Sequence, residues 1–164
     1  MITLERLWQV LDYDPSTGIF RWKIIIGCNA SRHCPGDVAG APRGPGSYVQ
    51  IGIDRHRYYA HRLAWFYTYG VWPPKLDHKD LNKQNNRIKN LRLATTSQNG
   101  ANRVAQKNNR LGLKGVRKHN TPGPCYSARV MGEHLGCFKS AEEAHQAYIE
   151  AASKKYGEFV RGKR

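Results

Sequence analysis

Residues 75–103 read KLDHKDLNKQNNRIKNLRLATTSQNGANR, and the few apolar positions in this stretch decide its fold. A short apolar-flanked segment at about 76–78 and a second at about 91–94 predict two strands. Thr95 or Thr96 stands as a helix cap before a segment that begins near Ser97. Between 82 and 109 there are eight Asn, too many for a buried core, so the connection between the strands is a polar loop. The predicted order is strand, loop, strand, helix.

Within that frame Asp77 and His78 are followed after eleven residues by Asn90, and after eight more by Asn99. Hydrolysis of a phosphodiester needs a base near neutral pKa, a cation to stabilise charge on the phosphate, and a group that orients the base. His supplies such a base, because its unperturbed pKa is about 6.5. Carboxylate and amide oxygens such as those of Asp and Asn suit Mg²⁺, which keeps several waters and takes few protein ligands. Asn side chains in the loop satisfying nearby backbone groups are the structural alternative.

Outward from this stretch, the charge supports the same chemistry. The chain has 164 residues and a formal net charge of +15. Residues 61–120 carry 13 basic and 2 acidic side chains, so +11 of that excess is concentrated there. A concentrated basic block favours approach to phosphates and release of counterions. A nucleic-acid partner is therefore expected, which the resemblances given below narrow to double-stranded DNA. Arg62, Arg87, Arg92 and Arg103 in this block are candidate DNA contacts. No apolar run approaches the roughly 18 residues of a membrane span, and MITLERLWQV lacks the pattern of a signal peptide. The expectation is an intracellular protein of the host cytoplasm or nucleoid, without membrane partners and monomeric.

Toward the N-terminus, Leu4, Leu7, Trp8 and Leu11 form a helical stripe capped at Thr3, broken by Asp14-Pro15-Ser16-Thr17-Gly18. Strands are predicted at 19–22, 47–53 and 56–60, with a Gly- and Pro-rich surface loop at 27–46. A helix over 60–69 packs Leu63, Ala64, Phe66 and Tyr67, and Gly70 with Pro73-Pro74 ends it. His61 in this helix is either an active-site or phosphate-contacting group beside Arg62 or a helix-start residue serving local backbone. Toward the C-terminus, KGVRKH, CYSARVM and HLGCFKS read as three short strands. A helix then begins at Ser140, with Ser140-Ala141-Glu142-Glu143 as its capping box.

The DH, N, N arrangement resembles the HNH endonuclease motif of the ββα-metal fold. The flanking LDYDPSTGIFRWK through YYAHRLAWFYTYG resembles the N-terminal part of phage and intron-encoded homing enzymes of that group. The resemblance implies that His78 is the general base, that Asn90 holds its ring through a spanning loop, and that Asp77 and Asn99 bind a divalent metal, Mg²⁺ or alternatively Mn²⁺. Catalytic residues are then His78 and Asn90, and metal ligands Asp77 and Asn99. The family usually has Gly before the Asn that follows its DHKD-like turn, whereas Leu81 precedes Asn82 here. That turn must avoid a left-handed backbone or bear strain.

Residues 111–161 resemble the ethylene-response-factor (AP-two) type DNA-binding domain, which lays a three-stranded sheet in the major groove. Carried over, Arg117, Lys118, Tyr126 and Arg129 are the DNA-contacting residues. Plant members often have Glu where Arg129 stands and Trp where Tyr126 stands, so their base preference does not transfer.

The expected fold is α+β. A ββα-metal nuclease core with N-terminal strands and helices occupies 1–106, with its motif at 75–103. A linker follows at 107–112, and a three-stranded antiparallel sheet packed on one helix occupies 113–164. The expected function is that of a metal-dependent DNA endonuclease of phage or mobile-element homing type. Two other readings stay open: a DNA-binding regulator with a degenerate nuclease core, and a structural zinc protein using Cys28, Cys34 and His33. All four cysteines, Cys28, Cys34, Cys125 and Cys137, are expected as reduced thiols.

Overall fold

The structure, a computed structural model, describes residues 1–25, 33–106, 108–119, 123 and 125–161. The chain mixes helices with small antiparallel sheets and divides into two compact units, Met1–Ala94 and Thr95–Arg164. No helix among the described residues is long and apolar enough to cross a membrane.

In the first unit, α1 (Leu4–Val10) starts where Thr3 Oγ1 accepts from the Arg6 N–H, and it buries Leu7 and Val10. Strands β1 (Leu11–Asp14) and β2 (Ile19–Trp22) form an antiparallel hairpin. The sequence placed Leu11 on the helix stripe and left β1 unseen. The structure shows instead a two-residue alternation that turns Leu11, Tyr13, Phe20 and Trp22 inward. At the turn the Asp14 carboxylate accepts from Ser16 and Thr17, which lowers its pKa to about 2. Gly18 has φ +76°, and a Cβ there would collide with the backbone of Asn86 and Arg87, so this tight turn seats against the loop described below.

Strands β3 (Ala41–Pro42), β4 (Val49–Ile53) and β5 (His56–Tyr59) make a sheet in that order. The turn between β4 and β5 places both Asp54 and Arg55 at positive φ, as two-residue hairpins prefer. The predicted loop at 27–46 thus contains a short strand, and its residues 27–32, with Cys28, lie outside the described residues. Helix α2 (Ala60–Tyr69) ends at Gly70 in the left-handed region. Its inner face, Ala60, Leu63, Ala64 and Phe66, joins Leu7, Leu11, Phe20, Ile51 and Ile53 in one core. Strands β6 (Leu76–His78) and β7 (Leu91–Leu93) pair with Leu76 opposite Leu93, Asp77 opposite Arg92 and His78 opposite Leu91.

The second unit opens with α3 (Thr96–Asn102), where Thr95 and Gln98 form a reciprocal capping box. Strands β8 (Val116–His119), β9 (Cys125–Val130) and β10 (Glu133–Phe138) form a sheet in the order β10-β9-β8. Helix α4 (Ala141–Tyr156), capped by Ser140, covers one side of it. Val116, Ala128, Val130, Ala141, Ala144, Tyr148 and Ala152 are the core between them. The small Ala residues of α4 allow close approach to the sheet, and at Gly115 any side chain would meet the Tyr148 ring.

Composition placed a linker at 107–112, whereas the division between units falls after Ala94. Lys114 supplies a physical reason. Its ammonium donates to the carbonyls of Gly100 (2.8 Å), Ala101 (2.6 Å) and Arg103 (2.9 Å), tying the end of α3 to the start of the sheet.

Candidate active site

His78 ends β6, a strand short enough to leave the next residues free to turn. The loop 79–90 then folds on itself through its own Asn and Asp side chains. Asp80 accepts from the Asn82 N–H, from Asn85 Nδ2 at 2.6 Å and from Asn90 Nδ2 at 2.9 Å. Burial alone would raise the Asp80 pKa, but these hydrogen bonds overcome it and the net direction is downward. Asn90 works in three directions. Its Nδ2 also donates to the Asn85 carbonyl, its Oδ1 accepts from the Asp80 N–H, and its backbone carbonyl accepts from the Lys79 N–H. Leu81 lies at φ +66°, its N–H bonded to the His78 carbonyl. The turn therefore takes the left-handed route and bears strain of about 1 kcal/mol or more.

The loop delivers Asn86 to the His78 ring. Asn86 is 3% exposed, and its Oδ1 lies 3.4 Å from His78 Nε2. An amide oxygen can only accept, so Nε2 carries the proton and the basic lone pair falls on Nδ1. Asn86 is itself fixed from behind, because the buried Tyr13 hydroxyl donates to its carbonyl at 2.7 Å, and Ile88 N–H bonds to the Pro15 carbonyl. The first hairpin, through Tyr13 and Gly18, thus sets the tautomer of a histidine 65 positions away.

The resemblance gives Asn90 the task of holding the His78 ring through a spanning loop. In the structure Asn90 staples the loop, and Asn86 meets the ring. Asn86 was missed because it is one of eight Asn in the stretch, and only the register of the loop singles it out. Burial pushes the His78 pKa down, while Asn86, Asp80 and Asp77 work the other way. The ring is therefore poised as a neutral proton acceptor.

Asp77 is 3% exposed, and its Oδ2 accepts from Arg92 Nη2 at 2.9 Å and Nε at 3.0 Å. Arg92, expected among the DNA contacts, is thus turned inward. The cross-strand register places it opposite Asp77, and a desolvated carboxylate demands a cationic partner there. A carboxylate is a fitting donor for a hard divalent cation, but one entering here must share Oδ2 with the guanidinium or displace it. Among the described residues no group of three or more His, Cys, Asp and Glu could hold a metal ion. Asn99 lies in α3 of the second unit, half-buried, with its N–H bonded to the Thr95 carbonyl.

The remaining predicted contacts separate by face and commitment. Arg62 donates to the Pro73 carbonyl and lies over the Trp72 ring. Arg87 and Arg103 are exposed. In the second unit Arg117 pairs in register with Ser127, Ser127 pairs in turn with Cys137, and Arg129 pairs with His134. Arg117 and Arg129 therefore share the face away from α4, and both are exposed. Lys118 and Tyr126 lie in register on the other face, where Tyr126 packs against the helix-side core. The four residues carried over as DNA contacts therefore do not share one face, because residues an odd number apart on a strand point to opposite sides.

Of the proposed zinc ligands, Cys28 lies outside the described residues, His33 stacks on Trp22, and Cys34 is an exposed free thiol, as Cys137 is.

Residues 58–101 match the family model of HNH endonucleases. That segment runs from β5 through α2, the β6 and β7 pair and most of α3. The match supports an HNH nuclease, a class of enzymes that act on DNA and generally use a divalent metal. Neither a curated protein nor a solved structure is significantly similar to the chain.

Proposed function

We propose that this chain is a divalent-metal-dependent DNA endonuclease of the homing or nicking type, with His78 as general base. The observation that carries the reading is the buried His78 ring, its Nε2–H directed to Asn86 and its lone pair on Nδ1, inside the segment that matches the HNH family. Asn90 positions this base at one remove, by holding the loop that presents Asn86.

Asp77 and Asn99 are the residues that would hold Mg²⁺, or Mn²⁺ in its place. The cation supplies charge stabilisation for the phosphate and the leaving oxygen. His78 takes the proton of the attacking water, and the low exposure around it keeps competing solvent away from the ring. Arg117 and Arg129 on the open sheet face, with exposed Arg87 and Arg103, supply phosphate and groove contacts to double-stranded DNA. A monomer with one such base per chain makes a single-strand nick the expected product. Phage or mobile-element origin belongs to the same reading, on the resemblance of the flanking segments.

Supercoiled plasmid incubated with Mg²⁺ tests the reading directly. Conversion to the nicked form by wild type, but not by His78→Ala, is expected. The Arg92 clamp on Asp77 favours one alternative, a DNA-binding regulator whose nuclease core is silent. DNA binding without cleavage across Mg²⁺ and Mn²⁺ titrations would establish that alternative instead.

A further inference from the structure

His61 opens α2 and is 9% exposed. Its ring lies in an aromatic cluster, with centroids 4.8 Å from Tyr48, 5.7 Å from Tyr59 and 5.1 Å from His78. Lys83 brings an ammonium over the Tyr48 ring at 5.1 Å, so a positive charge borders the same cluster. His61 Nδ1 is enclosed and has no hydrogen-bond partner, whereas Nε2 is not enclosed in this way.

Enclosed polar atoms without partners are rare in folded proteins and call for an explanation. The tautomer follows from the same accounting. A buried N–H left unpaired is worse than a bare lone pair, so the proton resides on Nε2 and the enclosed Nδ1 carries the lone pair. Burial, with the neighbouring His78 and Arg62 charges, lowers the His61 pKa to about 3. The ring is neutral wherever DNA is stable. A neutral N–H donor held rigidly beside a base is poorly explained as core filling, because phenylalanine would fill the cluster without stranding a nitrogen.

We propose that His61 is a second catalytic residue of this site, a fixed Nε2–H donor to a nonbridging oxygen of the phosphodiester that His78 attacks with water. The inference rests on the nuclease reading above. As the water oxygen bonds to phosphorus, its proton passes to His78. The bond from phosphorus to the leaving oxygen breaks, and that oxygen takes a proton from solvent. Negative charge grows on the nonbridging oxygens during this step, and a preorganised donor in a water-poor site stabilises it without reorganising. His61 transfers no proton itself.

Single-turnover nicking of supercoiled plasmid in Mg²⁺ by the full chain tests the assignment, together with DNA affinity and thermal unfolding. His61→Phe keeps the ring and removes the donor, so the nicking rate is expected to fall about 10²-fold while DNA affinity changes less than about threefold and the melting temperature does not drop. His61→Gln restores a side-chain N–H and is expected to regain about tenfold over Phe. A wild-type rate for His61→Phe overturns the proposal, as does a Gln variant no faster than Phe. Should His61→Phe melt below the assay temperature, the near-isosteric pair His61→Gln and His61→Met replaces it, and equal rates for that pair overturn the proposal. Failure here is separable from failure of the nuclease reading. If wild type nicks and His78→Ala does not, an active His61→Phe removes His61 alone, whereas a wild type that never nicks removes both.

Discussion

The β6 and β7 pair of the first unit and the three-stranded sheet of the second are both small antiparallel ladders, and they place their polar residues in opposite ways. Around β6, Asp77, His78 and Asn86 are each no more than 5% exposed, and each is held by a neighbour. On the sheet, Arg117, Arg129, His134 and Cys137 stand exposed on the face away from α4. Chemistry on a phosphodiester requires groups fixed before the substrate arrives, since reorganisation during reaction raises the barrier. Contact with a polyanion requires the reverse, charge left in solvent until phosphates displace its counterions. Under the proposed function, this contrast would place rate in the first region and affinity in the second.

That division is open to direct attack, beginning where the effect is greatest. His78→Ala removes the base and should slow nicking by about 10²- to 10⁴-fold while leaving DNA affinity intact. A wild-type nicking rate in that variant would falsify the placement of the chemistry. Asn86→Ala should lower the nicking rate by roughly 10- to 10²-fold, because it frees the tautomer without removing the ring, and Asn90→Ala should act in the same direction through the loop. Unchanged rates in both would mean that the loop does not control the base.

Arg92→Gln leaves a buried carboxylate without its cation, so urea unfolding should show a loss of about 3 kcal/mol. The same variant should reach half-maximal nicking at a lower Mg²⁺ concentration, since the competitor for Asp77 Oδ2 is gone. A midpoint unmoved in Mg²⁺ titration would take Asp77 out of the ligand set. On the other side of the comparison, Arg117→Ala with Arg129→Ala should weaken binding and flatten the slope of log affinity against log salt by up to about 1.8, at roughly 0.9 for each phosphate left unneutralised. The rate at saturating DNA should not change. Smallest of all, Leu81→Gly relieves a left-handed leucine and should stabilise the first unit by about 0.5 kcal/mol, after allowing for the greater freedom of glycine in the unfolded chain.

His61 and His78 also give the first unit a defined acid response. Both pKa values are lowered in the folded chain, so the unfolded chain binds more protons below about pH 6.5, the ordinary value for histidine. Stability should therefore be fully present above that pH and fall as the pH drops, for His61 over the window down to about 3. Within that window His61 contributes a slope of up to about 1.4 kcal/mol per pH unit. Acid unfolding of His61→Phe should show a shallower decline than wild type.

Much of the fold was legible because caps and breakers sat at its boundaries. Thr3, Thr95 and Ser140 each cap the helix that their sequence context announced, and Gly70 ends α2. Strand β1 escaped because Leu11 satisfies both a helical stripe and a two-residue alternation, and only pairing with β2 chooses between them. His78 was recognisable from its neighbours in sequence, but Asn86 was hidden among chemically identical residues. The Asp77 and Arg92 pair depends on register across a twelve-residue loop, which no local pattern encodes. Tyr126 was a different kind of miss. Strand parity already separates it from Arg129, three positions on, so the sequence held the answer once the strand was placed.

Lys114 carries a consequence for how the second unit opens. One ammonium bridges three carbonyls around the end of α3, while its own backbone carbonyl lies 3.0 Å from His145 Nδ1 on α4. Fraying of α3 therefore strands a cation whose pKa burial already lowers, and releasing that cation loosens the entry to β8. Helix end and strand start are joined in one cooperative opening event, a single foldon in the language of hydrogen exchange. The segment that composition marks as a linker is bracketed by residues that must let go together.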